Sequence, residues 1–293
     1  MRYPLHLACL LGIAVLAGSP AAGLPGRGPA DPQAYVYPWL SSYDPGQSIE
    51  NRVPVPAGYE RLTISTGGFG DWLRHLPLKP GTPEVLLFNG QKKANQSAHA
   101  AVVDIDVGAQ DLQQCADAVI RFRAEYLYSR GRYEDIRFRY TNGDEVDFRN
   151  WMDGNRPVFR GGSVTWAKLE PADLSYTSFR AYLNNIFQYA GSISLNEELV
   201  PVRDPSTLKI GDVFIKAGSP GHAVLVVDVA CEMRTGRKVF LLAQSFMPAQ
   251  DVHILKNALS SRLSPWFEAD FGSTLVTPEW QFSRSEHRRF AGE

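Results

Sequence analysis

Short apolar runs separated by Gly, Pro and polar residues dominate the stretch 209–250. Residues 213–215 form a short β-rich run, broken by Gly218, Ser219, Pro220 and Gly221. Residues 223–229 are almost continuously apolar, and 239–243 follow after Arg234, Thr235 and Gly236. That pattern predicts buried antiparallel strands joined by tight loops. His222 stands at the mouth of the middle strand and Gln244 at the far end of the next. If the two pair as a hairpin, these polar residues come within a few residues of register, at the open end of a dry element.

The same reading predicts further strands at 61–65, 84–88, 98–107, 252–255 and 278–283, and a hairpin from 136–140 and 146–148 around Thr141-Asn142-Gly143-Asp144. Along 98–107, His99 shares a face with Val103 and Ile105. Three- and four-residue steps predict a helix over 111–130, with Leu112, Cys115, Val119, Phe122 and Tyr126 on one face. Asp111 is the expected N-cap, with Gln114 completing a capping box, and Gly131 is the stop. Arg121, Arg123 and Glu125 fall off that face. A second amphipathic helix covers 176–190, with Phe179, Leu183, Ile186 and Tyr189 on its apolar side. Residues 151–156, 196–208 and 264–267 are expected as loops, and 276–293 as a C-terminal tail.

Helix placement gives Cys115 its interest. A cysteine near a helix start meets unpaired N–H groups and the positive end of the dipole, which favour thiolate. A histidine beside it would shuttle a proton. Arg156 is a candidate for a substrate carboxylate or for pairing with Asp153 or Glu170. Trp151 and Trp266, with the aromatic segment 35–43, are candidates to line a groove, and His99 is either a further site residue or a structural hydrogen-bonder.

Composition narrows the classes. The 293 residues carry a net charge of −1, with no basic stripe, which argues against nucleic-acid binding. Arg2, the apolar run 7–17 and the small-residue exit Gly18 to Ala22 describe a signal peptide over 1–23, followed by a flexible leader over 24–34. The chain is therefore expected to be exported, periplasmic or secreted, with no transmembrane anchor after cleavage. Residues 35–275 are expected to form one α+β domain. Cys115 and Cys231 remain after cleavage, and an oxidising compartment invites a disulfide between them. Cys231 lies nine residues beyond His222, roughly 30 Å along an extended strand. Cys115 cannot reach both, so a bridge excludes catalysis. No phosphate-binding glycine loop, C-x-x-C or H-E-x-x-H pattern occurs, and no cofactor or metal is expected.

The run GDVFI…GHAVLVVDVA resembles the glycine-aspartate strand and histidine-led strand of NlpC-type and CHAP-type papain-like cysteine amidases and peptidases. That resemblance implies a helix packed on an antiparallel sheet, with Cys115 as nucleophile, His222 as general base and then acid, and Gln244 as orienter. Asp228 and His253 are the other candidates for the orienter. The combination QQCADAVIRFRAEYLY, PGHAVLVVDVA and AQSFMPAQDVHIL is similar to a family of exported bacterial proteins known only as a domain of unknown function, from about Pro38 to Trp266. The chain has Gln114-Cys115-Ala116-Asp117 where the papain-like families have Asp-Cys-Ser-Gly, and 107 residues separate Cys115 from His222. An insertion over 131–208 containing the second helix accounts for that length. The expected function is cleavage of an amide bond, with cell-wall peptide as the candidate substrate; the alternative is a non-catalytic envelope module binding glycan or peptide on the same fold.

Overall fold

The computed structural model describes residues 35–293; the expected signal peptide and leader lie outside them. Among the described residues a nine-stranded antiparallel sheet organises the domain. Its strands in chain order are β1 (Tyr59–Arg61), β2 (His99–Val102), β3 (Leu199–Pro201), β4 (Val213–Lys216), β5 (His222–Glu232), β6 (Lys238–Gln244), β7 (His253–Leu255), β8 (Phe267–Glu268) and β9 (His287–Phe290). Side by side they run β2-β7-β6-β5-β4-β9-β3, with β1 also paired to β5 and β8 to β6. The expected hairpin core is present, and β5 and β6 are its centre.

Residues 222–230 of β5 are buried without alternation, as are 239–244 of β6. A strand buried at consecutive positions is covered on both faces, which is why these segments read as continuous apolar runs. Three further helices and one central helix complete the layers near the site: α1 (Phe69–Arg74), α2 (Cys115–Ser129), α3 (Tyr176–Tyr189) and α4 (Ser192–Glu198). Both α1 and α2 pack on β5, and α4 packs on α2 and β4. The architecture is thus mixed α+β, a central helix against a large antiparallel sheet.

Several expectations change. The helix begins at Cys115, not Asp111, because Asp111 is held elsewhere: its Oδ1 accepts the backbone N–H of Ala249 at 2.6 Å and Gln114 Nε2 at 3.1 Å. Gln114 is the N-cap, and its backbone N–H donates to Asp117 Oδ2 at 3.1 Å. Arg121 and Glu125, which fall off the predicted apolar face, are 1 % and 0 % exposed. They pair at 3.3 Å, and Tyr176 of α3 donates its hydroxyl to Glu125 Oε1 at 2.7 Å. The segment 131–208 covers the second face of α2, so its polar residues had to find partners inside.

The stretch 151–156 is not a loop. Trp151 lies in a short helix, Phe148–Met152, and Arg156 belongs to the hairpin Asn155–Arg160 with Ser163–Lys168. Residues 196–208 likewise contain the end of α4 and strand β3. The strand at 98–107 is shorter than expected, ending at Val102. The final residues differ most from a tail. Strand β9 lies between β4 and β3, and Thr274–Val276 pairs with Gln281–Ser283. Asp212, fully buried, fixes β9: it accepts from His287 Nε2 at 2.8 Å and Arg289 Nε at 2.6 Å.

Cys115 and Cys231 are both free thiols. The bridge is ruled out by topology. Cys231 sits near the far end of β5, opposite Lys238, whereas Cys115 lies against the beginning of that strand.

Candidate functional site

Three elements meet at the start of β5. Cys115 is the first residue of α2, where backbone N–H groups have no partner within the helix. Its sulfur is favoured as thiolate by the backbone N–H groups of Ala223, Ala116 and Cys115 itself, which sets it beside the residue that follows His222. The turn Gly218 to Gly221 delivers His222. A Cβ on Gly221 would lie 2.5 Å from Gly218 O, 2.9 Å from Lys216 O and 2.3 Å from Ser192 Oγ, so only glycine allows this approach.

Gln244 is brought in by register. Ala243 pairs with Leu225, so Gln244 falls opposite Val224, one diagonal step from His222. His222 Nε2–H donates to Gln244 Oε1 at 3.0 Å. Gln244 Nε2 donates in turn to Glu279 Oε2 at 2.7 Å and to His253 Nε2 at 3.3 Å. Glu279 also receives Lys93 and, at 3.3 Å, Asn95 Nδ2. His253, directly opposite Gln244 on β7, completes the row through its Nδ1–H to Asp251 O at 2.9 Å. Phe246, Trp280 and Phe282 enclose the His222 ring at centroid distances of 4.7, 5.2 and 5.7 Å.

Burial sets the protonation of this cluster. It pushes the Cys115 thiol up to about 11, with the Asp117 carboxylate adding to the rise and the three N–H groups opposing it. The expectation that the helix start lowers this thiol is therefore reversed: removal from water outweighs the local dipoles. Burial lowers His222 to about 4, against the opposing effects of the Gln244 hydrogen bond and the Glu279 charge. His253 is lowered to about 4 by burial as well. Asp117 is pushed up to about 8 by burial. At neutral pH the cysteine and histidine are thus held as thiol and neutral imidazole.

Cys115 opens on a cleft of about 440 Å³. Its walls are Gln114 and Asp117 from α2, Phe187 and Gln188 from the end of α3, Ser192 from α4, and the turn from Gly218 to Gly221. The segment 131–208 therefore contributes one side of the cleft over the cysteine. His222 is 1 % exposed and lies behind the wall.

The other expected residues go elsewhere. Asp228 is salt-bridged to Arg61 at 2.7 Å and Arg74 at 2.8 Å. A register shift between Leu241 and Leu242 falls between His222 and Asp228, so alternation does not carry across from one to the other. His253 touches Gln244 but not His222. Trp266 is 1 % exposed and donates its indole N–H to Pro54 O at 2.9 Å. Trp151 is buried, with the Arg156 guanidinium 4.1 Å from its ring; Arg156 pairs with neither Asp153 nor Glu170 but donates to Trp151 O at 2.9 Å. His99 Nε2–H donates to Pro83 O at 3.0 Å, and its ring stands 6.0 Å from that of His253. None of these six lines the cleft. The aromatic segment at 35–43 is taken up by packing on α1: Tyr37 Oη donates to Trp72 O at 3.0 Å, and Tyr35 stacks on His75 at 4.0 Å. Sequence reasoning missed Glu279, Lys93 and Asp117. Only Asp117 carried a signal, its place three residues after the true N-cap.

Among the described residues no group of three or more histidine, cysteine or acidic side chains is placed to hold a metal, and no helix is long and apolar enough to cross a membrane. Helix, sheet and buried polar row define a mixed α+β domain with a cysteine, a histidine and a glutamine gathered at one strand end. The chain belongs to the family described as domain of unknown function (4846), which matches residues 49–289. Comparison with curated proteins and with solved structures gave no match.

Proposed function

We propose that this chain is an exported cysteine hydrolase of papain-like type that cleaves an amide bond, with cell-wall peptide as the substrate class. The observation that carries the reading is the 3.0 Å hydrogen bond from His222 Nε2–H to Gln244 Oε1, made where Cys115 begins α2 against Ala223. It leaves Nδ1 as the basic nitrogen of the neutral ring. In this reading His222 Nδ1 takes the Cys115 thiol proton as the sulfur attacks the substrate carbonyl. The N–H groups of Cys115 and Ala116, given up by the sulfur as it attacks, receive the oxyanion. The imidazolium then protonates the leaving amine as the C–N bond breaks, giving a thioester. Water, deprotonated by the same nitrogen, releases the acid and restores the thiol. Because both groups rest neutral, the proton moves during attack and not before it.

The substrate class follows from compartment: an envelope hydrolase with this residue set meets peptide bridges of the cell wall. Support for export is the charged, apolar and small-residue order of the first 23 residues. The test is incubation of the mature chain with peptides released from purified cell wall, scoring new amino groups by mass spectrometry. The expected result is cleavage that Cys115→Ala and His222→Ala abolish. Equal binding of those peptides by the native chain and Cys115→Ala, with no amine released by either, would sink the hydrolase reading and leave a binding module.

A further inference from the structure

We infer that Glu279 is a positioning residue: by accepting the Gln244 amide N–H, it fixes the amide so that only Oε1 faces His222, and so decides which ring nitrogen of His222 is left as the base. The chain of donors and acceptors admits one arrangement. A carboxylate accepts only, so the Gln244 side that meets Glu279 Oε2 at 2.7 Å is its NH₂. The carbonyl oxygen then points to His222, 3.0 Å away, and a carbonyl accepts only. His222 Nε2 must therefore carry the proton, and Nδ1 must not. His253 supports the same choice from the other side. Its Nδ1 is 2.9 Å from Asp251 O, an obligate acceptor, so its Nε2 lone pair takes the second Gln244 N–H.

Glu279 is suited to the task because it is itself held. Its side chain is 14 % exposed and is gripped by Lys93, itself 7 % exposed, and by Asn95. Trp280, its neighbour in sequence, stands against the His222 ring. The charged and titratable groups facing the row are Glu279, Lys93, His253 and, beyond it, His99. The Glu279 charge favours the protonated form of His222.

Such a role presupposes His222 as the base, but the tautomer can be read without turnover. Two-bond ¹H–¹⁵N spectra of the full chain with ¹⁵N-labelled histidine, assigned with His222→Ala, distinguish the two forms. The native chain should show His222 protonated on Nε2. In E279A and E279Q only the longer 3.3 Å contact to His253 still orients the amide, and His222 should become a mixture of tautomers. The acid limb of the Cys115-dependent rate should move to lower pH, and kcat should fall roughly ten- to hundredfold with KM little changed, E279Q less affected than E279A. A native His222 protonated on Nδ1 overturns the inference even if both variants fail to fold. So does an unchanged Nε2–H tautomer and pH profile in a folded E279Q or E279A. An absent hydrolase activity with the tautomer dependent on Glu279 would refute the proposed reaction and leave this role standing.

Discussion

The pH dependence of Cys115 alkylation separates two pictures of the site. A thiol at its ordinary 9.0 is about one-tenth ionised at pH 8; at about 11 it is about one-thousandth ionised. Burial and Asp117 thus cost the thiolate a factor of about 100, or about 3 kcal/mol, and the N–H groups of Ala223, Ala116 and Cys115 do not recover it. The perturbation is a titration from pH 6 to 11 with iodoacetamide, resolved by peptide mass so that Cys231 is followed separately. Cys115 should label at a rate rising about tenfold per pH unit up to roughly pH 10, with no plateau. Slope decides the matter, because limited access through the cleft lowers the whole curve without bending it. Asp117→Asn should steepen the upper part, since Asp117 carries charge only above about 8. A plateau or shoulder below pH 8.5 would mean a preformed thiolate–imidazolium pair and refute the reasoning that desolvation dominates.

Asp117→Asn should also change stability. The Asp117 pKa is raised from 3.8 to about 8 on folding, so its contribution is present below 3.8 and is lost as pH rises through about 8. The variant should therefore gain on the native chain progressively between pH 4 and 8, by several kcal/mol in all, in urea unfolding; a constant difference across that window contradicts the buried carboxyl. Asp228→Asn strands the buried Arg74 and half-releases Arg61, and should cost about 3–5 kcal/mol by urea midpoint; a loss under about 1 kcal/mol would show the pairs to be solvated. Gly221→Ala must push the turn before β5 away from Gly218 O and Lys216 O. It should cost about 1–3 kcal/mol by urea midpoint, and a loss of under about 0.5 kcal/mol would mean the turn is not fixed as described.

Much of this site was legible because strand pairing is periodic. The apolar runs at 213–215, 223–229 and 239–243 announce three buried strands, and pairing the last two brings Gln244 near His222 without any tertiary knowledge. The helix start was misread because Asp111 with Gln114 and Gln114 with Asp117 have the same spacing. Only the distant Ala249, whose N–H takes the Asp111 carboxylate, distinguishes them. The burial of Arg121 and Glu125 was not legible because helical periodicity reports one buried face, whereas the segment 131–208 buries the other. Glu279 left no local trace: its partners lie 35 residues away at Gln244 and 186 away at Lys93. The charges of 284–293 looked like a solvated tail because their partner, Asp212, lies far upstream.

The place of β9 governs the order in which the protein can be completed. Its neighbours β4 and β3 are made long before it, yet they cannot be joined until residues 287–290 arrive between them. The segment just before β9 brings Glu279, Trp280 and Phe282 to His222. A growing chain thus holds its cysteine, histidine and glutamine from residue 244 onward, but it lacks the groups that orient them. The buried polar row around His222 is therefore completed only when nearly the whole polypeptide has been made.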